Sequence, residues 1–278
     1  MSTESRTSMA AKYLMGAGSS ELDRMLFQGE MFRPETEQLL ARCGPGPGDR
    51  ALDVGCGPLG IMDMLSERVG PTGEVVGLDV QPEMLDLARK LVAERGMDNV
   101  RLVEGDAARS GEPDGSFDFV HTRLVLMNVP HSADVLAAMV ALARPGGTVA
   151  VQDVDWVTRV CDPAHPAWTR LVDLIAELWR LNGMDVHLGR RLPRLLREAG
   201  LTDVGVDAGI RVFQHDHPYQ YLLVDRAELC RDALVARGLI GHEELTDLIG
   251  ELRVHLAQPD TIVMHATLFQ AWGTVPVR

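Results

Sequence analysis

Between Arg50 and Val154 the chain alternates short, nearly continuous apolar runs with longer stretches in which apolar residues recur every three or four positions. The short runs read as strands buried on both faces and the longer ones as helices, so the pattern predicts a parallel sheet covered on both sides. Predicted strands are Ala51 to Gly55, Glu74 to Asp79, Val100 to Glu104, Phe117 to Thr122 and Gly147 to Asp153. The helices between them are Leu59 to Val69, Pro82 to Glu94 and Ser132 to Ala143, the second opening on a proline suited to a first helical turn. Gly70 to Gly73 (GPTG) and Arg144 to Gly147 (RPGG) read as turns.

The flanks follow a different pattern. Upstream, Ser20 is a candidate N-cap for a helix with Leu22, Met25, Leu26 and Met31 on one side, and Pro34 opens a second helix to about Cys43. Residues 1–45 are therefore expected to form a helical cap on a domain spanning 46–278, whose ligand-binding core is 46–156. Downstream, Pro166 to Leu181 sets Trp168, Leu171, Ile175, Leu178 and Trp179 on one stripe, read as core packing. Leu188 to Ala199 is a further helix, GLTDVGVDAG begins a strand, and Thr261 to Trp272 is expected to be one last strand pairing antiparallel with it. The helical stretch from Tyr219 to Gln258 is too long for a hairpin loop. It reads as an insertion, about 218–258, over the active site.

Such a sheet binds its ligand at the carboxyl ends of its strands, which selects the residues that matter. The first strand runs into Gly55, Gly57 and Gly60, a turn that lets backbone approach a ligand. Asp53, two residues before Gly55, would repel a pyrophosphate but suits a ligand carrying an ammonium and a sulfonium. The start of the following helix offers free N–H groups and a positive dipole end to a carboxylate. The zwitterionic methionine of S-adenosylmethionine fits both ends of that arrangement. Asp79 closes the second strand, where a carboxylate can accept from both ribose hydroxyls, and Asp106 follows the third, where one can accept from an adenine amine.

Composition narrows the function classes. The formal charge is −13 and no Lys/Arg-rich run appears, which opposes a nucleic-acid partner. Cys43, Cys56, Cys161 and Cys230 are far apart without metal-ligand spacing, which suits a reducing compartment and no structural zinc. No stretch reaches the roughly 20 apolar residues of a membrane span, and the first residues lack an apolar signal core. The expectation is a cytoplasmic protein without a membrane partner.

LDVGCGPLG, VVGLDV, VEGDA, FDFVHTRLVLMNV and LARPGGTVAVQD, in this order and spacing, resemble the successive motifs of the class I S-adenosylmethionine-dependent methyltransferases. More narrowly, they are similar to the small-molecule enzymes related to the ubiquinone and menaquinone C-methyltransferases. The resemblance covers about Arg50 to Asp155. It implies a Rossmann-like α/β fold with a mostly parallel seven-stranded sheet and an antiparallel last strand. It also implies that Asp53, Gly55 and Gly57 hold the methionine end, Asp79 with Val80 the ribose, and Asp106 with Ala107 the adenine. Thr122 and Arg123 would line the sulfonium side, and Tyr13 and Gln28 of the cap would close over the cofactor. Where many relatives read Leu-x-His-x-x-Asp after the fourth strand, this chain has Leu126, Asn128 and His131, so a relay through that histidine does not carry over. An Asn/Asp-Pro-Pro-Tyr motif is also absent, which moves the substrate toward small molecules.

For the acceptor, Asp153 and Asp155 end the fifth strand, and the two-residue period aims both to the same side, just before Trp156. They are candidates for a base or for holding a cation, with His121 the alternative base. His131 is expected to start a helix, and His215-Asp216-His217 reads as a solvated strand end rather than a metal site. The reading is methyl transfer to a small, largely apolar or aromatic metabolite, oxygen first, nitrogen and carbon close behind. Thirteen methionines suit an adaptable apolar pocket. The rivals are a nicotinamide-dependent oxidoreductase, opposed by Asp53 and the Gly105-Asp106 turn, and a non-catalytic adenosylmethionine-binding protein. The amphipathic N-terminal helices also admit a homo-oligomer.

Overall fold

Five strands pair in parallel in the spatial order 3-2-1-4-5: β1 (Arg50–Val54), β2 (Glu74–Asp79), β3 (Val100–Glu104), β4 (Phe117–Arg123) and β5 (Ala143–Asp155). The structure is a computed structural model and describes residues 21–277, so Tyr13 and Ser20 lie outside it. Beyond β5 come β10 (Thr267–Thr274), antiparallel to it, and β7 (Thr202–Gly209), antiparallel to β10, giving the order 3-2-1-4-5-10-7. The seven-stranded sheet with one reversed strand is the architecture expected. The strand order reverses between β1 and β4, and a cleft for a ligand opens at such a point.

Alternation along the strands divides the core between the two faces. Leu52, Val76, Val120 and Val149 belong to one apolar cluster with α5 (Ser132–Leu142), α6 (Pro166–Leu181) and α7 (Leu188–Glu198). Ala51, Val75, Phe119 and Ala150 belong to the other, with α2 (Arg33–Cys43), α3 (Met62–Val69) and α4 (Pro82–Glu94). Each large apolar side chain buried this way contributes about 1.5–3 kcal/mol. A polar side chain on the same surface contributes only if it finds a partner. That criterion draws attention to Asp53, His121 and Gln152, all buried beneath the cleft.

Two helical pieces flank the cleft. α1 (Glu21–Met31) precedes α2, and an insertion between β7 and β10 supplies α8 (Leu222–Leu229), α9 (Arg231–Ala236) and α10 (His242–Leu256), packed on α6. Among the described residues no helix is long and apolar enough to cross a membrane.

Three boundaries depart from expectation. α3 begins at Met62 rather than Leu59, because Gly57 and Gly60 take positive φ and the Ile61 N–H is drawn to the Asp53 carboxylate, 3.0 Å away. RPGG is absorbed into β5. Ala143 pairs with Phe117 and Thr148 with Phe119, so Arg144 to Gly147 bulge opposite Asp118 alone, with Gly146 at φ 79°. The stretch from Thr261 to Trp272 is two strands. β9 (Ile262–Met264) joins β6 (Val160–Asp162) and β8 (Val212–Gln214) in a separate three-stranded antiparallel sheet. The chain then bends at His265-Ala266, where the His265 N–H donates to the Arg211 carbonyl, before β10 enters the large sheet.

Candidate active site

A single cavity of 1010 Å³ lies across the carboxyl ends of the first five strands. One end is built by the glycine turn. Gly55 and Gly57 sit at φ 69° and 53°, backbone that favours glycine, and a Cβ on Gly55 would come 2.4 Å from Cγ2 of Val125. The Asp79 carboxylate is fixed beside the turn, Oδ2 accepting from the Gly57 N–H at 2.8 Å and Oδ1 from the Gln81 N–H at 2.9 Å. Each oxygen keeps a lone pair for a hydroxyl donor. Asp106 is held similarly, Oδ1 accepting from the Ala108 N–H at 2.7 Å. Val80 and Ala107 complete this wall, and Gln28 of α1 faces it.

Asp53 borders the cavity, yet its two oxygens are already occupied. Oδ2 accepts from the Ile61 N–H, and Oδ1 lies 2.8 Å from Nδ1 of His121. Nε2 of His121 is 3.2 Å from Oε1 of Gln152, whose Nε2 donates to Gln270 at 3.0 Å. Thr36 of α2 donates to the same Gln152 oxygen at 2.9 Å. The chain of bonds ties β1, β4, β5, β10 and α2 together under the site. His121, the alternative base, is fully buried within it and forms no part of the cavity wall. Thr122, expected on the sulfonium side, is buried, donates to the Val54 carbonyl at 2.8 Å and does not line the cavity.

Arg123 does reach the cavity, donating to the Gly60 carbonyl at 3.0 Å and to Thr36 at 3.1 Å. Burial lowers its pKa, against the pull of Asp53 and Asp63. Arg33 and Arg95 clasp Asp63 at 2.9 and 3.1 Å on the same rim. None of these three was singled out from the sequence.

The other end of the cavity is aromatic. Trp156, just past β5, and Trp179 of α6 have ring centroids 4.3 Å apart at 59°. Trp179 packs against the same core as the buried Trp168, Leu171, Ile175 and Leu178, and lines the cavity as well. Leu222 and Arg226 of the insertion, Arg159 and His265 join this end. The sequence reading missed all four. Their one signal was the polar His265 interrupting the apolar run from Ile262 to Leu268.

Asp153 and Asp155 share one side of β5, as the strand period requires, but that side faces away from the cavity. Asp153 accepts from the N–H groups of Met127 at 3.1 Å and Val154 at 2.9 Å, and burial pushes its pKa up to about 7. Asp155 is bound by Arg190 of α7. Both are fully buried and neither lines the cavity, so the structure does not bring these two candidates for a base or cation holder to the cavity wall. His131 is the N-cap residue of α5 and stands at the cavity rim. His217 caps the short turn at Pro218–Tyr221 and stacks on Phe213, with ring centroids 4.5 Å apart.

One end therefore presents fixed carboxylates and a tight glycine turn, the other a hydrophobic wall with guanidinium groups. Adenosylmethionine fits the first end: Asp79 and Asp106 retain acceptor capacity for the ribose hydroxyls and the adenine amine, and the glycines clear the backbone for its methionine moiety.

The chain is similar in sequence and in fold to known methyltransferases. A family profile described as a methyltransferase domain matches residues 45–200. A demethylmenaquinone methyltransferase of Geobacillus kaustophilus is 42% identical over 111 residues, 40% of this chain and 47% of that protein. The chain spans about half the length of the curated relatives it matches. Among solved structures, a candidate methyltransferase of Bacillus halodurans is 17% identical with a TM-score of 0.57, over 87% of this chain and 98% of that one. Phosphoethanolamine N-methyltransferase 2 of Haemonchus contortus, solved with phosphomonomethylethanolamine and S-adenosylhomocysteine, is 18% identical with a TM-score of 0.54, over 88% and 53%. Likeness at that identity is one of fold.

Proposed function

The chain belongs to the methyltransferase-domain family, in the class I S-adenosylmethionine-dependent group related to the quinone methyltransferases, and from that premise we propose that it methylates a small, flat, electron-rich ring compound. The observation that carries the proposal is the continuity of one cavity from Asp79 and Asp106 to Trp156 and Trp179.

When bound, adenosylmethionine supplies a methyl group on a sulfonium, activated for in-line displacement. The protein's share is to hold the two partners close and to exclude water. Asp79, Asp106 and the glycine turn position the cofactor, while Trp179, backed by the buried Trp156, offers a flat apolar face to the acceptor. Met25 of α1 lies over the glycine turn and Leu222 of α8 lines the aromatic end, so the N-terminal helix and the insertion act as a lid in this reading.

With the cofactor bound, transfer would join the acceptor atom to the methyl carbon as the carbon–sulfur bond broke, the electron pair staying on sulfur. Oxygen stood first on sequence grounds, yet a phenol with its ordinary pKa of about 10 needs a base, and the three residues considered for that role are tied into the sheet. A ring carbon activated by its own oxygen substituent also loses a proton on methylation, so that requirement is common to both acceptors, and carbon acceptance is placed first in this reading. The naming of relatives for demethylmenaquinone favours the same class. Oxygen acceptance is the second reading.

The test is calorimetric titration with adenosylmethionine and, separately, NADH, on the native chain and on Asp79→Ala. Adenosylmethionine binding that falls about 100-fold in the variant, as expected for two lost hydrogen bonds to a carboxylate, supports the reading. Binding of NADH in its place would replace it with the oxidoreductase. With 13C-methyl-labelled cofactor, the chemical shift of the transferred carbon then separates carbon from oxygen acceptance, and cofactor binding without transfer to any ring compound points to a non-catalytic protein.

A further inference from the structure

Arg159 follows the end of β5 by four residues and reaches the aromatic end of the cavity. β5 is three strands from β2 in the sheet, about 14 Å at ordinary strand spacing, so Arg159 is remote from Asp79. Its side chain is nearly buried, with 9% of the residue exposed, and the guanidinium lies 4.0 Å from the centre of the Trp156 ring. Nη2 is 3.5 Å from Nε2 of His265, at the outer limit of a hydrogen bond. Nδ1 of His265 lies 2.9 Å from the Ala266 carbonyl and is assigned as the donor to it, which leaves Nε2 as a neutral acceptor. Burial, reinforced by Arg159, pushes the His265 pKa down to about 3 and keeps it uncharged. Nε of Arg159 has no partner.

Among the described residues no carboxylate pairs with Arg159. What acts on it is burial, which with the nearby Arg226 pulls its pKa down to about 9, and the Tyr219 hydroxyl, which opposes that shift. A guanidinium taken out of water without a counter-ion is unfavourable, and its planar fork of donors matches a carboxylate in bidentate fashion.

We infer that Arg159 anchors a carboxylate group of the acceptor, whose ring rests on Trp179 where it backs onto Trp156. The inference rests on the methyltransferase reading for the word acceptor, while the anion site stands on Arg159 alone. It narrows the substrate from a flat apolar compound to an aromatic or similarly flat acid.

The test titrates 2-naphthoate and its uncharged amide, 2-naphthamide, into the full chain by calorimetry, with and without S-adenosylhomocysteine. The acid is expected to bind at least tenfold more tightly than the amide. In Arg159→Met, whose unbranched side chain keeps the contact with Trp156, that preference disappears while affinities for the amide and for S-adenosylhomocysteine are retained. Because an uncompensated buried charge has been removed, the empty variant melts no lower than the native chain, which certifies its fold. Arg159→Lys keeps a reduced preference. Equal binding of acid and amide, or a preference that survives in Arg159→Met, overturns the proposal. So does loss of S-adenosylhomocysteine affinity in Arg159→Met, since the arginine would then serve the cofactor's own carboxylate. An Arg159-dependent preference without any S-adenosylhomocysteine binding keeps the anion site and removes the methyltransferase reading.

Discussion

Oδ1 of Asp53 and Nδ1 of His121 lie 2.8 Å apart, with His121 wholly buried and Asp53 1% exposed. The pair joins adjacent strands β1 and β4 at the switch point of the sheet, and Oδ2 of the same carboxylate holds the Ile61 amide at the end of the glycine turn. The position of the cofactor loop is thus referred, through one carboxylate, to the centre of the sheet.

His121→Ala would leave the Asp53 carboxylate buried with half its partners. The expected loss is about 2–4 kcal/mol of stability, read from urea unfolding. Methyl transfer at saturating substrate, well below the unfolding midpoint, should change less than tenfold, since removing a general base costs about 10²–10⁴. A larger fall in kcat with stability preserved would restore His121 as a base.

The two glycines before α3 should respond unequally to alanine. At Gly55 the new methyl would meet Val125, a β-branched residue at the start of the short turn Leu126–Asn128, at 2.4 Å. At Gly57 it would meet only the terminal Cε of Met25, at 2.8 Å, the mobile end of a flexible side chain. Both substitutions carry the strain of positive φ, about 1–2 kcal/mol. Gly55→Ala is expected to destabilise by a further 1–3 kcal/mol from overpacking. Gly57→Ala should instead disturb the lie of α1 and weaken adenosylmethionine binding more than stability. Paired urea melts and calorimetry check the ordering.

The strand ends that build the glycine-turn side of the cavity were legible in the sequence because strand length, apolar run and carboxyl end are all local properties. Asp79 and Asp106 needed only the strand boundaries and the rule for parallel sheets. Asp153 and Asp155 show where that reasoning stops: the period of two established that they share a side, but which side faces the cavity depends on α7 and the turn after β4, which pack against it. Arg159 and His265 come together only because the apolar run from Ile262 to Trp272 divides between two sheets, a consequence of long-range pairing with β6 and β8. No local pattern announces that contact.

Asp153 should leave a mark on the pH dependence of stability. Its carboxyl titrates near 3.8 when exposed and at about 7 in the fold, raised by burial although the Met127, Val154 and Leu126 amides oppose the shift. Between those values the folded chain holds a proton that the unfolded chain has released, so stability due to this group is complete below pH about 4 and declines until pH about 7. Asp153→Asn keeps an oxygen for the amides and cannot titrate. The difference in unfolding free energy, native minus variant, is expected to fall across that window and to level off above it. A flat difference would show that Asp153 is ionised throughout.

Trp179 tests the assignment of the two ends of the cavity. Its ring meets Trp156 but belongs to α6, which packs against the insertion and takes no part in the cofactor turn. If the aromatic end receives the acceptor, Trp179→Ala removes one stacking face, about 0.5–1.5 kcal/mol beyond the loss of apolar area. Acceptor KM should rise at least tenfold, with adenosylmethionine affinity unchanged by calorimetry. A variant that binds the cofactor poorly but retains acceptor affinity would reverse the assignment. The effect also distinguishes packing from recognition: a purely structural Trp179 would lower the melting temperature while leaving the ratio of the two affinities as it is in the native chain.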